Sequence, residues 1–297
     1  MPTRRVRGRT IGPMRFGVVA HTGSETNAAL SVAAESLGFS ASIYAPRDAL
    51  RLLEPGDVAL GRLDVRETLD GIEPGTGELE QLEAGGVVVL NPASTLVAAH
   101  DKLLTARILR RAGVPHPRTW LIADGAPSPA PELPVVLKPR FGSWGRDVVR
   151  CETTEELERE RLRLAQRPWY ADQGVLAQEL VPPVGWDLRI VVAGGEVVGA
   201  ARRVAAPGEW RTNVALGGRS EPAVPTPLAR RLALEAAAAV RGDLVGVDLL
   251  PLRGGFVISE VNGAVDFLPH YALHPGSVFG AAVHELTRVA RVRRPAA

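Results

Sequence analysis

Cysteine is almost absent. Cys151 stands alone among 297 residues, which excludes an internal disulfide framework and a cysteine-based metal site. No apolar run is long enough to cross a membrane. The N-terminus, MPTRRVRGRT, leads into no hydrophobic signal segment. The expectation is a cytoplasmic protein with no membrane partner. Lysine is also scarce: Lys102 and Lys138 stand against 33 arginines. A chain that uses arginine almost everywhere keeps lysine where a compact ammonium is needed, as at a phosphate. Chance survival is the competing reading. The net charge of +2 comes from four arginines in residues 1–10. That segment reads as a disordered basic tail, and a nucleic-acid partner is not expected. The turn after the first strand, HTGSETN, lacks GxGxxG, so a nicotinamide or flavin domain has little support. No GxxxxGK[ST] P-loop is present either.

The clearest pattern present is VGVDLLPLRGGFVISEVN. Apolar runs at 245–250 and 256–261 flank a Pro/Gly turn, which signals a β-hairpin. With the turn centred on Gly254, Asp248 faces Glu260. Strand alternation puts Glu260 and Asn262 on one face. Opposed Cβ atoms lie roughly 5 Å apart, so two carboxylates and an amide oxygen meet. Carboxylates that close repel unless a cation separates them. All-oxygen donors suit Mg²⁺ or Mn²⁺. Spacing alone leaves a second reading open, in which these acids are solvated on the hairpin's outer face.

The rest of the chain divides into three lobes. Strands at 14–20, 41–44, 57–63 and 87–90 alternate with helices at 27–37 and 78–84. This predicts a parallel α/β lobe over residues 11–95. An amphipathic helix at 100–112 carries Lys102 in its first turn. A cation there opposes the helix dipole and needs another reason, such as a ligand anion. Four prolines in 124–134 read as a connection into the second lobe, the central lobe being taken as 96–185. Its strand at 135–137 ends at Lys138. A loop at 141–147 follows with Gly142, Ser143, Trp144 and Gly145, then a return strand at 148–150. Such a flap can fold backbone N–H groups over phosphate oxygens, though many hairpins share the pattern. The C-terminal lobe, 186–297, holds a hairpin around Gly194 and Gly195, a loop with Arg211 and Asn213, an Ala-rich helix at 227–241, the acidic hairpin and a final helix at 277–291. The expected class is α/β, turning to α+β in the C-terminal part.

These residues resemble the ATP-grasp ligases, and within them the RimK/LysX branch. The resemblance covers most of residues 95–265. It rests on Asp101-Lys102, Lys138 with the GSWGRDV flap, and Gln178-Glu179-Leu180. It continues through Asp187-Leu188-Arg189, Arg202-Arg203, Arg211-Thr212-Asn213 with Gly217-Gly218, Gly246-Val247-Asp248 and Glu260-Val261-Asn262. It implies an N-terminal lobe followed by two lobes that sandwich ATP. Lys102, Lys138 and the flap residues Gly142, Ser143, Trp144 and Gly145 would then hold phosphates. Gln178, Glu179 and Leu180 would form the adenine hinge, with Asp187 near the ribose and Asn213 beside the nucleotide. Asp248, Glu260 and Asn262 would carry Mg²⁺, with Mn²⁺ as a substitute. Arg189, Arg203 and Arg211 would face the γ-phosphate and the acyl group.

The implied reaction is ATP-dependent amide formation through an acylphosphate, joining an α-amino acid, glutamate or similar, to a carboxylate of a metabolite or a carrier-peptide tail. The implied cofactors are ATP and Mg²⁺. A homo-oligomer is left open. The segment Gly263-Ala264-Val265-Asp266-Phe267 departs from the small Ser-Pro-Gly-type run of the ribosomal-tail ligases, so glutamate specificity does not carry over. Asp266 can pair with a substrate ammonium or sit solvated. Arg62 can meet a carboxylate substrate or form a surface ion pair. Two other readings stay open: an ATP- or amino-acid-binding module without turnover, and phosphorylation without amine capture.

Overall fold

The computed structural model describes residues 14–21, 23–123 and 131–294. The basic segment 1–10 and most of the proline-rich connection lie outside the described residues.

The first lobe alternates β1 (Arg15–Val19), α1 (Glu25–Ser36), β2 (Ser40–Tyr44), α2 (Pro46–Leu52), β3 (Val58–Gly61), α3 (Thr76–Ala84) and β4 (Val88–Leu90). Its four strands are parallel in the order β2-β1-β3-β4. A parallel sheet is covered on both faces, so its strands read as continuous apolar runs. Phe16 and Val18 pack with Leu30 and Ala34 of α1. Val19 and Ala59 pack on the other face with Ala49, Leu79 and Leu82 of α2 and α3. The short helix α2, not expected from the sequence, starts on Pro46 at its first position, where proline costs no hydrogen bond.

The helix expected at 100–112 is α5 (Lys102–Arg111); a second helix, α4 (Ala93–His100), not expected from the sequence, runs up to it and ends at Asp101. Asp101 takes an extended backbone, and its carboxylate accepts the N–H groups of Leu103 and Leu104. A side chain that caps so well starts a new helix instead of continuing the old one. The cap carboxylate also sits beside Lys102 at the first turn and offsets the dipole penalty there.

The second sheet contains β5 (Thr119–Ile122), β6 (Val135–Lys138), β7 (Val149–Cys151) and β8 (Val175–Glu179), antiparallel in the order β5-β8-β6-β7. Between β7 and β8 lie α6 (Thr154–Leu164) and the short α7 (Tyr170–Gln173). The third sheet contains β9 (Trp186–Ala193), β10 (Glu196–Val204), β11 (Arg219–Pro222), β12 (Leu244–Leu252) and β13 (Gly255–Asn262), in the order β11-β10-β9-β12-β13. Helices α8 (Pro227–Ala239) and α9 (Val278–Arg293) complete it.

Alternation along β9 explains how this sheet makes a site. Leu188, Ile190 and Val192 pack against the alanine face of α8. Val191 and Ala193 point the other way, into a core with α9. On that same second face, but at the opposite end of the strand, stand Asp187 and Arg189. One face is thus apolar under a helix and polar where no helix covers it.

Helix α9 also packs on α1 and β4, so the first and third lobes share one core. A buried clasp fixes them together. Asn91, fully buried, donates to the carbonyls of Leu244 and Gly263 and accepts the N–H groups of Asp243 and Leu244. Its φ is +49°, a left-handed conformation that asparagine tolerates better than most residues. Asn91→Ala should strand these four buried backbone groups and cost about 3–5 kcal/mol. The urea unfolding midpoint would show it; a shift below about 0.5 kcal/mol would deny the clasp its role.

The acidic hairpin departs from its expected turn. From Leu252↔Gly255 to Leu249↔Ile258 the strands pair one residue earlier than a turn centred on Gly254 requires. The turn is the two residues Arg253 and Gly254, with Gly254 at φ +86°. A β-bulge at Ser259 then adds one residue to β13 and restores Asp248↔Glu260 and Gly246↔Asn262. The expected pairing of the acids holds because the bulge corrects the register.

Candidate active site

A cavity of about 440 Å³ lies between the second and third sheets, in the usual range for a small-molecule site. The flap, the end of β8, the polar face of β9 to β13 and the segment after β13 line it. Both lysines reach it. Lys102 Nζ lies 2.9 Å from Glu260 Oε1 and donates to the Gly142 carbonyl of the flap. Lys138 Nζ donates to Gln178 Oε1 at 2.7 Å, and the Gln178 amide in turn donates to Thr119. Burial first, and Lys102 second, lower the Lys138 pKa to about 8, with Glu260 opposing. A buried ammonium near neutrality becomes fully charged when an anion arrives.

Arginines and acids form a ladder across the sheet. Arg189 grips Asp248 with two bonds of 2.8 Å. Arg203 bridges Asp248 and Asp187. Burial works to raise the Asp248 pKa, but Arg189 and Arg203 outweigh it and hold the group well below the usual carboxylate range. Asp187 is buried, and its carboxylate is taken by Arg203 and by Thr212 Oγ1 at 2.5 Å. It supports the arginine ladder, a partner that its expected place near a ribose did not foresee.

Arg211 contacts the flap. It pairs with Glu209 at 2.8 Å and donates to the carbonyls of Gly145 and Val148 at 3.0 and 3.3 Å. Gly145 has φ +72°, and a Cβ there would come within 2.9 Å of Asn213 Oδ1. Glycine is required because the flap lies against the 209–218 loop. Ser143 and Trp144 also line the cavity, and Trp144 stacks under Arg146. At the hinge, Leu180 spends its N–H on the Pro134 carbonyl, and Glu179 turns its carboxylate to Arg118.

Asp248, Glu260 and Asn262 line one side of the cavity. Asn262 Nδ2 lies 3.4 Å from Asp248 Oδ2. A Cβ at Gly246 would meet Val265 at 2.4 Å, so glycine there lets the segment after β13 lie against β12. Among the described residues no group of three or more His, Cys, Asp or Glu could hold a metal. Two carboxylates and one amide oxygen still fit Mg²⁺ or Mn²⁺, which complete their shells with water and substrate phosphate. The repulsion expected between the two acids is balanced here by Arg189, Arg203 and Lys102.

Arg62 lies behind the wall. Its side chain is 1% exposed and bonds to Asn27, the Val265 carbonyl and Asp266. It bears on the cavity through its neighbours Asp64, Val265 and Asp266, which do line it. Sequence reasoning missed Asp64 and Tyr271, which line the cavity as well. Asp64 ends a strand run with no distinguishing spacing, and only the folding of the first lobe onto the third brings it here. His21 and His270 bond to the Pro74 carbonyl and to Ser220, in keeping with loop and packing roles.

Residues 99–269, more than half of the chain, match the RimK-like ATP-grasp domain. The protein belongs to the RimK-like ATP-grasp family. A probable α-L-glutamate ligase of Thioalkalivibrio sulfidiphilus is 36% identical over 196 residues, covering 64% of this chain and 64% of that protein. The coenzyme γ-F420-2:α-L-glutamate ligase of Methanococcus maripaludis is 32% identical over 196 residues, covering 63% and 66%. The chain thus spans just under two thirds of these relatives' own lengths. A RimK-domain ATP-grasp protein of Sphaerobacter thermophilus has the same fold, with a TM-score of 0.63 at 20% identity over 92% of this chain and 98% of that one. No described helix is long and apolar enough to cross a membrane.

Proposed function

We propose that this protein is an ATP-dependent carboxylate–amine ligase acting in the cytoplasm. The carrying observation is convergence. Both lysines of the chain, a glycine flap and an Asp–Glu–Asn oxygen set open onto one cavity. A carboxylate is a poor electrophile at neutral pH. Transfer of the γ-phosphoryl group to it gives an acylphosphate with a good leaving group. An amine then attacks, yielding an amide, ADP and phosphate. Phosphoryl transfer asks the protein for position and charge neutralisation, with no covalent nucleophile.

Lys102, Lys138 and the flap N–H groups would hold the ATP phosphates. Asp248, Glu260 and Asn262 would hold Mg²⁺, which neutralises charge on phosphate oxygens when bound. Arg189 and Arg203 sit beside the oxygen set and would face the transferred group. Arg211 would join them while holding the flap carbonyls, coupling lid position to the reacting end. A closed lid matters because acylphosphates hydrolyse and exclusion of water protects them. The names of the relatives support an α-amino acid as the amine, and the γ-F420-2 ligase supports a metabolite as the carboxylate.

The test is ADP release with Mg²⁺-ATP, pairing each proteinogenic amino acid and α-aminoadipate with a panel of carboxylate acceptors that includes Glu-terminated peptides. Release that requires one amine and one carboxylate together is expected. Release with a carboxylate alone, and no amide product with any amine, would instead establish a kinase.

A further inference from the structure

Two acids outside the oxygen set also line the cavity. Asp64 comes from the first lobe, after β3. Asp266 comes from the segment after β13. Both line the cavity, with side chains 37% and 65% exposed. Arg62 lies between the two lobes and acts on both acids. Its guanidinium is spent on Asn27, the Val265 carbonyl and one oxygen of Asp266. It therefore aims Asp266 and is not free to receive a substrate carboxylate. Asp64 accepts the N–H of Val65 and stands 3.9 Å from His100 Nδ1. Burial first, and Lys102 among the nearby charges, lower the His100 pKa, with Asp64 and Glu260 opposing.

Tyr271 packs beside Phe267, the residue after Asp266. It is 4% exposed, lines the cavity and bonds through its hydroxyl to none of the described residues. Its ring is held in a short helical turn beside Phe267, and its backbone is bridged to Gly199 of β10. A phenol that lines a cavity can meet a ligand polar group there. Arg189 and Arg203 are close enough to feel it. Arg189, Arg203 and Tyr271 offer donors suited to a carboxylate and its acyl oxygen, and Asp64 and Asp266 offer acceptors suited to an amine.

We propose that Asp64 and Asp266 set the amine specificity, and that the amine substrate carries a second cationic group: a basic amino acid or a diamine, in preference to glutamate. This rests on the ligase reading above. Two partly exposed carboxylates attract a doubly cationic amine and repel an additional carboxylate. Lys102 and the arginines that line the cavity, Arg189, Arg203 and Arg211, are each paired with an acid. The glutamate named for the relatives would bring two carboxylates to a wall with two acids.

The experiment is calorimetry on the full chain saturated with Mg²⁺-ADP, titrating L-lysine, putrescine and L-glutamate. Lysine or putrescine should bind about tenfold more tightly than glutamate, the scale of two partly exposed charge pairs. Asp266→Asn and Asp64→Asn should each reduce that preference about threefold, with circular dichroism confirming the fold. The preference should weaken as salt rises. Glutamate binding as tightly as lysine, an unchanged preference in both variants, or no amine binding at all would overturn the proposal. Failure of Mg²⁺-ADP itself to bind would instead strike the ligase reading. The same amine titrations without nucleotide would then still decide the specificity.

Discussion

Asp248→Asn is expected to abolish Mg²⁺-dependent ADP formation and to lower the melting temperature by several degrees. From the sequence alone this substitution reads as a clean test of a metal ligand. The structure makes it a double one. Asp248 is the shared anion of Arg189 and Arg203, and all three are largely buried. Removing the charge leaves two guanidinium groups facing a neutral amide. Breaking a buried ion pair from one side costs about 3–5 kcal/mol. The amide keeps one acceptor, so the loss should fall near the lower end. Loss of an oxygen ligand and of arginine placement together should reduce turnover by about 10³-fold. Glu260→Gln separates the two effects. Glu260 has one cationic partner, Lys102, and is partly exposed. Its activity should fall comparably while its melting temperature barely moves. Full activity in either variant would refute the metal assignment. An unchanged melting temperature in Asp248→Asn would refute the structural role of the ladder.

The contrast between these two acids shows where sequence reasoning reached and where it stopped. The hairpin was legible because strand period and apolar runs are local signals. Its acids were paired correctly even though the turn is shorter than assumed, since the bulge at Ser259 compensates for it. The parallel first lobe and most strands of the two antiparallel sheets were legible for the same reason, but β5 and β11 were not. The helix opening at Lys102 was legible from its amphipathic period, whereas α4 just before it was missed, and the cap at Asp101 is what separates the two. The shared core under α9 was missed because an amphipathic helix does not say which two surfaces it joins. Partners were the least legible. Asp187 and Arg203 were both singled out, yet nothing local says that they bind each other. Arg62 and Asp266 are 204 positions apart, and Asp64 owes its place in the cavity to lobe docking alone.

Lys138→Arg should weaken nucleotide binding by about 100-fold although the formal charge is kept. Lys138 is buried at the end of β6, with Gln178 directly opposite its ammonium at 2.7 Å. A guanidinium is wider and planar, and it needs more donors satisfied than this site offers. Overpacking a buried position also forces neighbours to move. The wild-type protein carries a pH signature of the same residue. Free Lys138 titrates at about 8, lowered from 10.5 by burial first and by Lys102 second. Phosphate binds the protonated form. Affinity for Mg²⁺-ADP should therefore be full below pH 8 and fall above it, by up to tenfold per unit. Binding above pH 8 should take up a proton, visible as a dependence of the calorimetric heat on buffer ionisation enthalpy. Linkage acts in the opposite direction on the free fold. Between pH 8 and 10.5 the unfolded chain binds more protons at this residue than the folded one. The burial penalty is thus fully present below pH 8 and fades as pH rises through that window. A nucleotide affinity that is flat from pH 7 to 9, or a Lys138→Arg variant that binds as the wild type does, would remove Lys138 from the phosphate site. The scarcity of lysine in this chain would then be chance.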